Sequence, residues 1–465
     1  MKLLKHIIVY GLSAAVVVGS LAALTRLVEP KYDGGEYPLE GNFTAEYYDE
    51  TTDHDVLMIG DCEVYENFDP MVLWKEYGIT SYIRGNAQQL TWQSYYMLED
   101  ALRYETPKVV IYNVQALTHA KPEREEYNRM TLDGMRWSKS KWDAIQASMC
   151  KGEKTVEYLF PLLRYHSRMM SLGEEDLTYF FSPRRVTCNG YYMRIDTLPA
   201  SEGGFGDVEW IRQHYPGQID DPAEDGTTDD ADSDDVDDGT GDADDGTGDA
   251  AEDEFSDPWA DVDTSDPEED LGDAWEGVDD TDDSEADGDE DMTDPWADVD
   301  TGDEDDGEES KAPVAYSEKD PEEAFGNLPM YYLDRIRLLC EEKGIRLILI
   351  KAPSLSPQWY DSQEQQVVDY AEKFGLPYIN FYKLIRETGI DYETDTYDGG
   401  LHMNYSGAKK LSAWLGLQLH TKYEILDHRA DKKLADVYKE KLAWQQELID
   451  AQNAELELYG EIRNY

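Results

Sequence analysis

Cysteine is scarce in this chain and follows no pattern. Four are present among 465 residues, at Cys62, Cys150, Cys188 and Cys340, and no two stand in a C-x-x-C arrangement. That spacing excludes both a zinc-ribbon protein and a disulfide scaffold. In an exported chain one bridge stays open, and Cys150 with Cys188, which flank one helical region, is the first pair to consider. Positive charge is short as well: 41 Lys and Arg stand against 102 Asp and Glu, a formal net charge of −61. No basic stripe of the kind that nucleic-acid binding draws on is present, so no nucleic-acid partner is expected. No metal-ligand or cofactor motif is present either.

The one long uncharged apolar run is N-terminal. Residues 7–24 carry no charge; Lys2 and Lys5 precede them, and Arg26 and Lys31 follow. About 18 residues is just enough to cross a bilayer and long for the core of a signal peptide. The expectation is a retained single-pass anchor in the cell membrane. Ser20-Leu21-Ala22 offers a cleavage site, so a removed signal and a secreted product is the alternative. Either way the basic N-terminus stays cytoplasmic and the rest of the chain lies outside.

The charge imbalance is local. Between Asp220 and Glu309 stand 45 of the acidic residues and no Lys or Arg; elsewhere 57 acidic residues face 41 basic ones. This tract is built from Asp, Gly, Thr, Glu and Ala and has too little apolar surface to fold. It repeats Asp257-Pro258-Trp259-Ala260-Asp261-Val262-Asp263-Thr264 almost verbatim at residues 294–301. Its Trp anchors are either short protein-docking motifs or the residue of neutral repeat expansion. Residues 283–288 resemble a calcium loop only superficially, with Glu285 at the third position and no flanking amphipathic helices. Diffuse cation contact is what a polyanion of this kind offers.

Outside the tract, apolar runs and helical periodicities alternate. Strands are predicted at residues 56–59, 81–84, 109–112, 346–350 and 377–380, and helices at 70–77, 90–103, 328–343, 363–374 and 408–419. Strand–helix alternation argues for parallel βαβ units, and the two separated halves combine into one doubly wound α/β sheet if the middle is an excursion. The chain then divides into an anchor or signal segment (1–29), a polar stalk (30–54), a first half-domain (55–127), a helical cap insertion (128–200), a disordered acidic insert (201–319), a second half-domain (320–425) and a charged C-terminal helix (426–465). The cap is rich in aromatic and basic residues, among them Arg136, Trp137, Trp142, Arg164, Tyr165 and His166. It is expected beside the active-site edge, or else as helices packed on the sheet. The C-terminal helix either folds back on the domain, pairs with a partner or stays solvated.

Two short blocks far apart in the chain carry the chemistry. Gly60-Asp61-Cys62-Glu63 closes the first strand, and Asp398-Gly399-Gly400-Leu401-His402-Met403-Asn404 opens the last core helix. Acyl transfer needs a nucleophile, a base for its proton and donors for the developing oxyanion. A cysteine at the carboxyl end of a strand and a histidine with an acid close upstream are the right types, with Asp398 holding the imidazole tautomer. Asp395 is a rival orienter. Gly85, after the second strand, and Asn113 or Gln115, at the end of the third, are candidate oxyanion or substrate-binding donors, or else satisfied turn residues.

These blocks resemble the Gly-Asp-Ser and Asp-x-x-His blocks of the SGNH (GDSL-type) hydrolases, with Cys62 in the place of serine and the acid one residue further from the histidine. Tyr112-Asn113-Val114-Gln115 looks closer to the form found in envelope O-acyltransferases than to Gly-x-Asn-Asp. The texture around Phe68-Asp69-Pro70, residues 128–136 and residues 350–355 resembles membrane-anchored SGNH-like proteins of Gram-positive bacteria. The resemblance implies a flavodoxin-like, three-layer α/β/α fold. It also implies an extracytoplasmic esterase or O-acyltransferase acting on a cell-envelope polysaccharide or wall polymer. The lost serine and the stretched spacing keep open an inactive SGNH-fold module that binds glycan or assists assembly.

Overall fold

The computed structural model describes residues 2–29, 42–181, 185–203, 208–219 and 325–463. Residues 30–41 of the expected stalk and nearly all of the acidic insert, including its Trp repeats, lie outside them.

The centre is a five-stranded sheet made of β1 (Val56–Gly60), β2 (Ser81–Gly85), β3 (Val109–Asn113), β4 (Arg346–Lys351) and β5 (Tyr378–Asn380). Every pairing is parallel, and the spatial order is β2-β1-β3-β4-β5. All residues of β1, β2 and β3 are buried, which is why these strands read as unbroken apolar runs and not as alternating patterns. In register, Gly60 stands opposite Gly85, and Asn113 opposite Ile350. Residues after the carboxyl ends of the strands therefore collect at one rim, and the strand order reverses between β1 and β3. In open α/β sheets that is where sites form.

The helices, in chain order, begin with α1 (Lys2–Val28) and α2 (Asn42–Glu46), then α3 (Cys62–Tyr65), α4 (Pro70–Tyr77) and α5 (Thr91–Ala101). Next come α6 (Glu125–Leu132), α7 (Lys139–Ser148), α8 (Thr155–Leu159), α9 (Pro161–Tyr165) and α10 (Glu174–Phe181). The remainder are α11 (Ala200–Gly203), α12 (Val208–His214), α13 (Asn327–Lys343), α14 (Asp361–Phe374), α15 (Ile385–Thr388), α16 (Tyr405–Thr421) and α17 (Lys432–Tyr459). α5 packs on β1 and β2 and against α13, which reaches β4; α4 packs on β2 and against α16 and α17. α4 starts where Asp69 accepts from the Met71 amide at 2.8 Å with Pro70 in the first turn, a cap plus a residue preset for the helix.

Several boundaries differ from expectation, each for a reason of burial. Residues 42–49 are not stalk: Phe43 and Tyr47 are buried in the core, and Glu46 accepts from the Val186 and Thr187 amides at 2.6 and 3.1 Å. The expected cap is two things. α7 packs on α5, while α9 and α10 touch α1; residues 185–203 instead run extended past the site, with the Tyr192 amide donating to Tyr65 and the Leu198 amide to Thr396. Order continues beyond residue 200, because α12 buries Ile211. α17 folds back on the domain: Tyr438 stacks on Trp74 with centroids 4.1 Å apart, and Gln445 donates to Asp69 at 2.8 Å. All four cysteines are free thiols, Cys150 and Cys188 included. α1 is long and apolar enough over Val9–Val28 to cross a membrane.

Candidate active site

β1 ends at a crowded point. A side chain on Gly60 would put its Cβ 2.6 Å from Val64 Cγ2 and 2.9 Å from Asn113 Cβ. The chain then turns through Asp61, which accepts from the Glu63 amide at 3.3 Å, and Cys62 begins α3. Cys62 is half-buried and packs against the core. Burial pushes its thiol up, His402 pulls it down by charge and hydrogen bonding, and Asp61 and Glu66 push it up again; the outcome is about 11. The helix start does not rescue a thiolate here: the resting group is a thiol.

The histidine sits in the loop before α16. Gly399 and Gly400 have φ of +79° and +106°, values that side chains resist. A Cβ on Gly399 would also meet Gly203 Cα at 2.3 Å. This doubled turn folds Asp398 back on His402. Asp398 Oδ1 accepts from the His402 amide at 2.8 Å, and Oδ2 lies 2.7 Å from Nδ1. The extra residue between acid and base is thus absorbed by the two glycines. Asp395, the rival, is buried and engaged elsewhere, by Lys410 and by the Asp391 amide.

A second carboxylate, missed in the sequence, also faces the imidazole. Glu66 Oε2 lies 3.3 Å from His402 Nδ1 and accepts a hydrogen bond from the Tyr397 hydroxyl. Glu66 stands one helical turn after Cys62, and this i,i+4 spacing was the only local signal available. Burial lowers the His402 pKa, but Glu66, Cys62 and Asp398 outweigh it and hold the ring protonated well above the usual histidine range. Nε2 is buried with no hydrogen-bond partner, and the ring lies close enough to Cys62 to act on its thiol by charge and hydrogen bonding. Asn67 ties the two halves together, accepting from the Met403 amide at 2.8 Å and donating to Ser354 at 3.1 Å.

The expected oxyanion donors fare unequally. Gly85 lies against the nucleophile turn, where a Cβ would stand 3.2 Å from the Asp61 carbonyl oxygen. Asn113 is buried, and its amide nitrogen is committed to Asp61 at 3.1 Å and Glu63 at 3.0 Å. Its unpartnered atom is Oδ1, an acceptor, so it has no donor left for an oxyanion. Gln115 is buried too, and its nitrogen makes only a 3.4 Å contact to Thr118. Behind Cys62 runs a charged network that sequence reasoning did not find. Lys351, fully buried, donates to Glu63 at 2.8 Å and to the Ala352 carbonyl at 2.8 Å. On the far side, His119 Nε2 lies 3.3 Å from Asp61.

No protein-family model, curated protein or solved structure matches this chain. What the site can do is read from its side chains.

Proposed function

We propose that this chain is an SGNH-like ester hydrolase or O-acyltransferase of the cell envelope, built on a flavodoxin-like, three-layer, doubly wound domain. In this reading α1 anchors it in the cell membrane, the domain lies outside, and the acceptor or substrate is an envelope glycan or wall polymer. The strand order and the position of Cys62 beside the order reversal support the fold reading. One observation carries the chemistry: Asp398 holds His402 through Nδ1, which leaves Nε2 buried and uncommitted on a ring that acts on the Cys62 thiol.

Cys62 Sγ attacks the acyl carbonyl carbon while His402 Nε2 takes the thiol proton. The carbonyl electron pair moves to oxygen, for which the Cys62 and Gly85 amides are the candidate donors. Collapse expels the alcohol oxygen, which receives the proton from Nε2, and a thioester remains on Cys62. Water or a sugar hydroxyl then gives its proton to Nε2 and attacks the thioester, and the thiolate leaves and is reprotonated. Since both groups hold protons at rest, the competent form has one proton fewer. Asp398 and Glu66 then stabilise the imidazolium that each attack creates.

A second reading, an inactive SGNH-fold module that binds glycan, draws on two observations: the thiol at about 11 and the committed Asn113 amide. One experiment separates them. The full chain in detergent is treated with p-nitrophenyl acetate, and its acyl adducts are mapped by mass spectrometry. The catalytic reading expects acetylation at Cys62, slowed about 10²- to 10⁴-fold in His402→Ala. Equal acetylation of exposed nucleophiles, indifferent to His402, supports the inactive module.

A further inference from the structure

The segment from α8 to α10 exposes more apolar side chain than a water-facing surface accounts for. Phe160 is 61% exposed, Leu163 52%, Met170 94% and Phe181 79%. Leu177 and Phe181 stand four apart on α10 and so share a face. Single apolar residues at a surface need no explanation, but a concentration within one short segment marks an interaction site.

Its neighbour identifies the partner. α9, the 3-10 turn at His166–Met170 and α10 all touch α1. Arg168 clamps the end of that helix, donating to the Val28 and Glu29 carbonyls at 3.2 and 2.8 Å. α1 itself is bare along Val9–Leu21 and becomes covered only at its last turns, where Val28 is fully buried. The exposed residues thus cluster at the point where α1, the one helix among the described residues that is long and apolar enough to cross a membrane, enters the folded domain.

We propose that α8, α9 and α10 form a second membrane contact, lying in the plane of the bilayer that α1 crosses, with their apolar side chains at the headgroup–acyl boundary. Short helices with apolar residues turned to the lipid and charges kept on the other side bind in this way. The continuity with α1 favours lipid over a second protein as the occupant. The proposal rests on α1 residing in a bilayer and on nothing about the chemistry at Cys62.

The test uses the full chain reconstituted in vesicles of mixed phosphatidylglycerol and phosphatidylcholine. A photoactivatable diazirine amino acid replaces Leu163, Met170 or Phe181 in turn, with Val16 on α1 as the anchor control and Leu458 on α17, 70% exposed, as the solvent control. Lipid adducts at the three positions at least about tenfold above Leu458, and comparable to Val16, are expected for in-plane helices. Adducts at Val16 alone would overturn the proposal and leave the anchor standing. Cross-linked dimers from the three positions would overturn it in favour of a second copy of the chain. Absence of lipid adducts at Val16 as well would overturn both the proposal and the anchor.

Discussion

Replacing Lys351 with methionine removes the ammonium that pairs with Glu63 behind the nucleophile. Both groups are buried, at 0% and 1% exposure, and the pair is 2.8 Å apart. After Lys351→Met, Glu63 keeps Asn113 as its donor at 3.0 Å, and the ammonium that sat over the Tyr382 and Trp359 rings is gone. Breaking a buried pair from one side costs about 3–5 kcal/mol. At ~2–4 °C per kcal/mol for a domain of this size, the melting temperature falls by about 6–20 °C. The loss has a pH signature. Burial already holds the Glu63 carboxyl above its usual range, and Lys351 opposes that shift, so removing Lys351 raises it further. A carboxyl raised by folding contributes stability that is present below its unfolded pKa and lost as pH rises through the folded one. The deficit is therefore smallest at or below the usual carboxyl range and grows as pH rises above it. Thermal unfolding in detergent at several pH values, followed by near-ultraviolet circular dichroism, measures it. Adding Glu63→Gln removes the stranded charge and recovers at least half the loss. Equal melting temperatures for single and double variants, or a deficit that ignores pH, would refute the reasoning.

Glu66→Gln removes one of the two carboxylates at His402 Nδ1 (3.3 Å); the imidazolium pKa falls, and the alkaline rise of Cys62 acetylation moves to lower pH. Asp398→Asn moves it the same way but also costs about 10²-fold or more in rate, because it loses the bond that sets the tautomer; identical profiles for the two variants would contradict the assigned roles. Cys62→Ser keeps the nucleophile's place and lowers acetylation, with the adduct now an ester on the serine, while Cys62→Ala abolishes it; adduct persisting in the alanine variant would remove Cys62 from the chemistry. Gly399→Ala places a Cβ 2.3 Å from Gly203 Cα at a φ of +79°, and is expected to cost about 2 kcal/mol or more and to slow acetylation through a displaced Asp398; unchanged melting and rate would show that the doubled turn is not what seats the acid.

All five strands and the main core helices were legible from local pattern, because buried parallel strands are short apolar runs and three of the helices stop at left-handed glycines, Gly78, Gly344 and Gly375. The Asp398–His402 contact was legible for the same reason, since both residues lie on one loop and the intervening glycines announce a turn. Cys62 at the end of β1 followed from strand position. The state of that thiol did not, because burial and charges from distant segments decide it. Residues 42–49 read as polar stalk and proved to be core, since their two buried aromatics find partners only in the folded chain.

Sequence by itself determined the alternation of elements, the places of Cys62, Asp398 and His402 along it, and the one apolar helix at the N-terminus. Tertiary structure alone decided what surrounds them. Lys351 meets Glu63 across 288 residues and Asn67 meets Met403 across 336, distances over which no periodicity carries information. It also consumed the Asn113 amide, added Glu66 to the histidine and laid α17 back across α4. Capping and periodicity act within a few residues, whereas a charge in a folded core answers to whatever the fold brings within a few ångströms of it.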